Sequence, residues 1–443
     1  MKKTKLLKSI LIPTLGITSI GTIAAVSTSC GQIQVTGVIL NENTKSIGLG
    51  DTYELIATVL PENATNKTVT WNSNNKSVAT VVNGRITAVG LGNAAITVTT
   101  HDGGYTATCD VVVIIKQYVA ITANKDSTLE LNNKGKNNPD LQYSTDDGAS
   151  WITYSEEINI GQGQTLYLKG SNPNGWSTSS SSYSCLSFTG NVSISGNIMG
   201  LLDNGAAPGK EGDITTIPCD YCFYDLFKNS TGITSVSEDF LPATSLAENC
   251  YSYMFYGCSS LTAAPELPAT TLANYCYWYM FHSCTSLATA PDLPATTLAD
   301  SCYYDMFNEC TSLTTAPDLP ATTLAENCYY GMFNSCTALT TAPELPATTL
   351  AGGCYCGMFN NCTSLTTAPE LPATTLTNVC YYSMFEYCTS LNSIKIGYTG
   401  NYYSTYFNSW VTGVASSGTF YYNGTTQTAQ DFKLPNDWTT EKF

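Results

Sequence analysis

One spacing constrains this chain more than any other feature. Met-Phe recurs at Met254-Phe255, Met280-Phe281, Met306-Phe307, Met332-Phe333, Met358-Phe359 and Met384-Phe385, 26 residues apart each time. A degenerate copy, Leu226-Phe227, stands 28 residues upstream of the first. A fixed period in the twenties predicts units that cannot bury an apolar face alone and must stack on their neighbours. One unit runs from Leu313 to Cys336. Wound at about 100° per residue, its Leu324, Cys328, Met332 and Cys336 share one face, which predicts a helix with a wide apolar arc. Thr323 and Glu326 have capping-box spacing at its start, and Pro320 discourages an earlier one. Leu313 to Leu319 is too short and proline-bearing for a helix and reads as one parallel strand.

Strand plus helix in each turn predicts a horseshoe. Phe333-Asn-Ser-Cys336-Thr-Ala-Leu339 resembles the BspA-like leucine-rich repeat of bacterial surface proteins. That resemblance implies an α/β leucine-rich-repeat solenoid over 211–396. Residues 397–443 then form the C-terminal cap that an open end needs.

The rest of the chain reads as β structure behind an address. Lys2, Lys3, Lys5 and Lys8 precede a stretch without charge from Ser9 to Ser29, the pattern of an export signal over 1–29. Its end, Val26-Ser27-Thr28-Ser29-Cys30, resembles a lipoprotein signal, which implies acylation of Cys30; an uncleaved membrane anchor is the rival reading. Over 33–116, short alternating runs are broken by turns such as Asn83-Gly84 and Asp102-Gly103-Gly104, which argues for a β-sandwich. Pro61-Glu62-Asn63-Ala64-Thr65, Val69-Thr70-Trp71-Asn72-Ser73 and Asn83-Gly84-Arg85-Ile86 resemble the group 2 bacterial immunoglobulin-like domain of invasin-type proteins. The resemblance implies a stalk or adhesion module, with Trp71 in its core. Residues 117–210 read as a second β-rich domain, with a hairpin signal at Asp146-Asp147-Gly148. The fold class expected is therefore multidomain: an all-β immunoglobulin-like sandwich, a second β domain, then the α/β solenoid.

Composition excludes several functions. Asp and Glu number 34 against 18 Lys and Arg, a formal charge of −16, so nucleic-acid phosphates would be repelled. Histidine occurs only as His101 and His282, which leaves little for His-based acid–base chemistry or zinc. Gly205-Ala-Ala-Pro-Gly-Lys210-Glu211 is one residue short of a phosphate loop and ends in Glu instead of Ser or Thr. With no nucleophile motif either, the sequence predicts a protein that is not an enzyme and needs no cofactor.

Three ladders repeat with the period. Twelve cysteines pair eight apart, from 250/258 to 380/388. A disulfide framework is one reading for an exported chain. Eight helical residues span about 12 Å and packed helix axes lie about 8–10 Å apart, beyond the ~7 Å Cα limit of a disulfide. Buried free thiols are the expectation. The close pair Cys219-Asp-Tyr-Cys222 is either coincidence, since Cys222 aligns with the repeat cysteine, or a local redox or disulfide pair. An acidic ladder, Glu266, Asp292, Asp318, Glu344 and Glu370, reads as solvated strand ends or as a row of weak calcium sites. Finally, the position six residues beyond each repeat Leu holds Ser252, Trp278, Tyr304, Tyr330, Cys356 and Tyr382. On the expected helix it faces solvent. Trp278, Tyr304, Tyr330 and Tyr382 are the candidate ligand-binding residues, unless the rings merely lie over the neighbouring helix.

The functional expectation is a lipid-anchored protein on the extracellular face of the cell membrane. It binds an extracellular protein or glycan of a host or neighbouring cell through its repeats. A structural or antigenic coat protein without a specific ligand is the alternative.

Overall fold

A computed structural model describes residues 32–443 except 49–51, 91, 115–117, 203–214 and 426. The export signal, Cys30 and the Gly205–Glu211 stretch lie outside the described residues. The chain divides at 114/115 into two compact units.

The first unit is all β. One four-stranded sheet runs in the order Thr44–Gly48, Thr106–Ile114, Gly92–Thr100, Val69–Ser73, with the first pair parallel and the others antiparallel. Thr52–Glu54, Arg85–Ala88 and Ala79–Val82 form a second sheet, in which the Asn83-Gly84 turn joins Val82 to Arg85. Alternation decides which residues face inward. Ala94, Ile96 and Val98 of one strand and Cys109, Val111 and Val113 of its partner are all buried, as a period of two requires. Trp71 is half-buried and packs against both of the unit's apolar clusters.

The second unit opens with two more sheets. Six strands run in the order Ile152–Thr153, Gln142–Ser144, Thr165–Lys169, Val119–Ala123, Val192–Gly196 and Ile233–Val236, and the last pair is parallel. Asp146 organises the expected turn after Ser144 by accepting from the Ser144 hydroxyl (2.6 Å) and the Ser150 N–H (2.9 Å). One continuous apolar core runs from Val119 to Trp438, so the second β region and the repeats pack as one body.

Among the described residues the repeats contain no α-helix, which corrects the α/β leucine-rich-repeat solenoid. Among the described residues the only α-helical segment is Ser404–Phe407, and two short 3-10 segments lie at Ile198–Leu201 and Glu238–Phe240. In an α-helix every N–H turns back to the residue four before it. Here alternate N–H groups leave for the next repeat instead. Tyr251 donates to Cys276 (3.0 Å), Tyr253 to Trp278 (2.8 Å), Phe255 to Met280 (2.9 Å) and Gly257 to His282 (2.8 Å). The N–H groups between them close three-residue turns, such as Met254 to Tyr251 (3.2 Å) and Cys258 to Phe255 (3.1 Å). Every fourth residue is left-handed: Asn249, Tyr253 and Gly257, then Tyr275, Tyr279 and Ser283, and so on to Val379, Ser383 and Tyr387. Nor is Leu313–Leu319 a strand. It contributes the single parallel bridges Thr289–Thr315–Thr341, and a further strip pairs Thr297 with Thr323 and Thr349 with Thr375.

Stacking at this register makes columns of identical side chains. Phe227, Phe255, Phe281, Phe307, Phe333, Phe359 and Phe385 lie ring on ring, with successive centroids 5.5 to 5.8 Å apart. A tyrosine column from Tyr251 to Tyr381 also stacks, with centroids 5.7 to 6.3 Å apart, and columns of Cys, Met and Leu fill the space between. The stack is closed at its far end by the C-terminal region. Tyr381 donates to the Tyr406 carbonyl, Ser383 to Asn408 and Phe385 to Trp410, beside three parallel strands, Ser393–Ile396, Ser417–Tyr422 and Asp437–Glu441.

Candidate binding face of the repeat stack

The second left-handed position of each turn forms one column: Asp225, Tyr253, Tyr279, Asp305, Gly331, Gly357 and Ser383. Tyr253 and Tyr279 stack face to face, their centroids 5.0 Å apart and their planes 3° from parallel. A carboxylate stands on either side of the pair. Asp305, 6% exposed, accepts from the Tyr279 hydroxyl and from Asn308 Nδ2 (2.8 Å). Burial pushes its pKa up to about 6 against the opposing effect of those two donors. Asp225 is fully buried, receives a 3.1 Å contact from Lys228 Nζ and bonds Tyr183. Burial outweighs the ammonium, and this pKa too is raised to about 6. Lys228 in turn lies over the faces of Tyr253 (4.5 Å) and Tyr256 (5.5 Å).

The aromatic row predicted from sequence packs onto this column. Trp278 is half-buried and sets its edge against Tyr253 (5.3 Å), Tyr279 (5.4 Å) and Tyr304 (6.2 Å). Tyr304 and Tyr330 are half-buried and stack at 4.4 Å, 4° from parallel. Tyr382 is the most open of the four, 36% exposed. Ser252 and Cys356, at the equivalent position, are buried. His282 stacks on Tyr256 at 4.8 Å and approaches Glu309 at 3.8 Å. Burial, the larger effect, lowers its pKa, so the ring tends to be neutral. The structure thus joins Trp278, Tyr304 and Tyr330 into one layer. Sequence reasoning missed the support beneath it: Tyr253, Tyr279, Lys228, Asp225 and Asp305. The available signal was an acid inside an otherwise apolar run, Tyr304-Asp305-Met306-Phe307 and Tyr224-Asp225-Leu226-Phe227.

The acidic ladder lies on another strip of the stack. Glu266, Asp292, Asp318, Glu344 and Glu370 are all exposed. Asp318 and Glu344 border a cleft of about 590 Å³ lined by Thr315, Thr341, Pro320 and Pro346. Glu370 is paired with Lys395 at 3.0 Å. Among the described residues no three His, Cys, Asp or Glu side chains converge so as to hold a metal ion.

The described cysteines are free thiols. The helix-spacing reason for expecting this does not apply, because successive turns lie closer than packed helices do. Burial and hydrogen bonding hold the columns instead. Cys284 donates to the Phe255 carbonyl, and Cys310 to Phe281, both at 3.1 Å. Burial pushes the pKa of every ladder thiol up, that of Cys276 to about 12.

Comparison with known proteins bears on the first unit. Residues 34–111 match the bacterial Ig-like domain, group 2. An uncharacterised protein of Clostridium acetobutylicum is 46% identical over 81 residues, 18% of this chain and 20% of that one. An Ig-like virion protein of Serratia phage KSP90 is 42% identical over 92 residues, covering 20% of this chain and 36% of its own length. An alpha-L-arabinofuranosidase of Bifidobacterium longum is 44% identical over 82 residues, 18% of this chain and 8% of the relative. The alignments therefore span well under half of each relative. The Ig-like segment is consistent with a surface or structural protein.

Proposed function

We propose that this chain is a non-enzymatic surface protein, exported and held at the membrane by acylation of Cys30, which binds an extracellular protein or glycan through the aromatic face of its repeat stack. The observation that carries the binding reading is the half-exposed layer of Trp278, Tyr304 and Tyr330, held by packing on Tyr253 and Tyr279 and by the buried Asp305. Rings already fixed lose little entropy when a partner covers them, and each offers a large contact area. The Ig-like unit serves as a spacer in this reading. Coat function without a ligand is the second reading, favoured by the likeness of that unit to a virion protein.

The test compares wild-type chain with the triple variant Trp278→Ser, Tyr304→Ser, Tyr330→Ser on arrays of glycans and matrix proteins. The proposal expects bound partners to be lost by a variant that retains the wild-type circular dichroism. Wild-type chain that binds nothing on either array would favour the coat reading, and a variant that binds as well as wild type would move the site elsewhere. Mass analysis of membrane-extracted protein checks the anchor, and an intact Met1 would refute it.

A further inference from the structure

Cys219 and Cys222 stand three residues apart at the first turn of the stack. Cys222 begins the inner column that continues as Cys250 and Cys276, whereas Cys219 sits where later repeats have Ala247, Ala273, Ala299, Ala325 and Ala351. The first turn therefore carries a second sulfur in place of a methyl group. Tyr221, between the two, is left-handed with φ 56°, and the thiols hydrogen-bond to each other. A turn brings Cα atoms three residues apart to within about 7 Å, the reach of a disulfide.

The neighbouring loop is shaped around the pair. A Cβ on Gly175 would lie 3.0 Å from Cys219 Sγ and 3.2 Å from Cys222 Cα, so any other residue there would crowd the sulfur. The N–H groups of Trp176 and Ser177 both donate to the Cys222 carbonyl, at 2.9 and 3.1 Å. Cys222 is fully buried and Cys219 is partly exposed. Among the described cysteines Cys185 alone shares that exposure. Burial and Asp225 push the Cys185 thiol up to about 12, while the hydrogen bond from Cys222 holds the Cys219 thiol below its usual range. One sulfur is thus open and ionisable, with a second, sheltered sulfur in contact behind it.

We propose that Cys219 and Cys222 form a thiol–disulfide exchange site whose oxidant is a low-molecular-weight disulfide. The Cys219 thiolate attacks one sulfur of the donor, forms a mixed disulfide and expels one donor thiolate. Cys222, losing its proton, then attacks the Cys219 sulfur and expels the second donor thiolate. Two protein thiols are oxidised, one donor disulfide is reduced, and the two released protons end on the two donor thiols. The product is a covalent staple in the first turn, independent of whatever the aromatic face binds.

The native full-length chain is incubated with oxidised glutathione, acid-quenched, alkylated and peptide-mapped. A Cys219–Cys222 peptide lighter by two hydrogens is expected, with the ladder thiols alkylated only after denaturation. In Cys222→Ser the exchange should stall as a glutathione adduct on Cys219, and Cys219→Ala, the residue of the later turns, should give neither product. Native wild-type chain supplies a measurement that needs no variant: iodoacetamide should label Cys219 at least about ten-fold faster than Cys185. Equal labelling of the two, or both Cys219 and Cys222 recovered as free thiols after glutathione, overturns the proposal.

Discussion

Asp305 and Gly331 hold the same position in successive turns, and the carboxylate of the first fills the space that a side chain on the second would take. A Cβ on Gly331 would lie 2.0 Å from Asp305 Oδ1. The backbone there is also left-handed, with φ 58°. Gly331→Ala should therefore cost about 3 kcal/mol, combining left-handed strain with displacement of a buried, hydrogen-bonded carboxylate. Gly357→Ala has a similar φ of 62° but open space around the new methyl group, so it should cost only about 1 kcal/mol. Urea melts of both variants check the difference; equal costs would mean that Asp305 moves aside freely.

Asp225 and Asp305 make stability depend on pH. Each carboxyl has a folded pKa of about 6 against an ordinary value of 3.8, so the folded chain holds more protons between roughly pH 4 and 6. Their contribution is full below pH 4 and is lost as pH rises through 6. Lys228, Tyr183 and Cys185 face Asp225, while Tyr279, Asn308 and Glu309 face Asp305. Each carboxyl should account for about 3 kcal/mol, and Asp305→Asn should flatten its share of the profile. Thermal melts from pH 4 to 7.5 test this; an unchanged slope in Asp305→Asn would refute it.

Phe307 sits between Phe281 and Phe333, 5.7 and 5.8 Å from each ring, and is fully buried. Phe307→Ala leaves a gap that two neighbouring turns must share and should cost about 4 kcal/mol. Tyr304→Ser, three residues earlier in the same repeat but on the half-exposed layer, should cost about 1 kcal/mol. Chemical denaturation that reversed this order would show the outer layer to be the true core.

Val379 is a β-branched residue at a φ of 49°, the conformation least suited to it. Val379→Gly should raise stability by about 1 kcal/mol, because the N–H bond to the Thr405 carbonyl (2.7 Å) remains. A lower unfolding midpoint would mean that the valine methyl groups contribute more than the backbone strain removes.

The period, the stacking of copies and the identity of the buried residues were legible in the sequence because each reduces to spacing. Helix was the wrong element for a definite reason. Cys250, Tyr251, Met254, Phe255 and Cys258 are buried with a period of four, and over nine residues that differs little from 3.6. What separates the two is the left-handed residue at every fourth place. Asn249, Gly257, Asn327, Gly331, Gly353 and Gly357 advertise it, but Tyr253, Tyr279 and Val379 hide it. The Ig-like strands read correctly because alternation with a period of two has no close rival, and Asn83-Gly84 marks its own turn. The aromatic row was read through a helical angle that does not exist; its members still align because six residues beyond each Leu is one column, but Trp278, Tyr304 and Tyr330 are half-buried instead of facing solvent. Asp305 and Asp225 went unread because only the stacked register shows that they bracket a tyrosine pair.

Alternate backbone groups of each turn are spent on the next one, and the last turn is met by Thr405, Tyr406, Asn408, Trp410 and Thr412. Every internal junction therefore presents the same hydrogen-bonding template above and below. For the backbone, length in such a molecule is an open variable: a 26-residue copy added or removed meets the same hydrogen-bonding edge, while side-chain pairs such as Asp305 against Gly331 decide which copies can adjoin. Wherever those side chains fit, an array of another length needs no new fold, only another turn on the same edge.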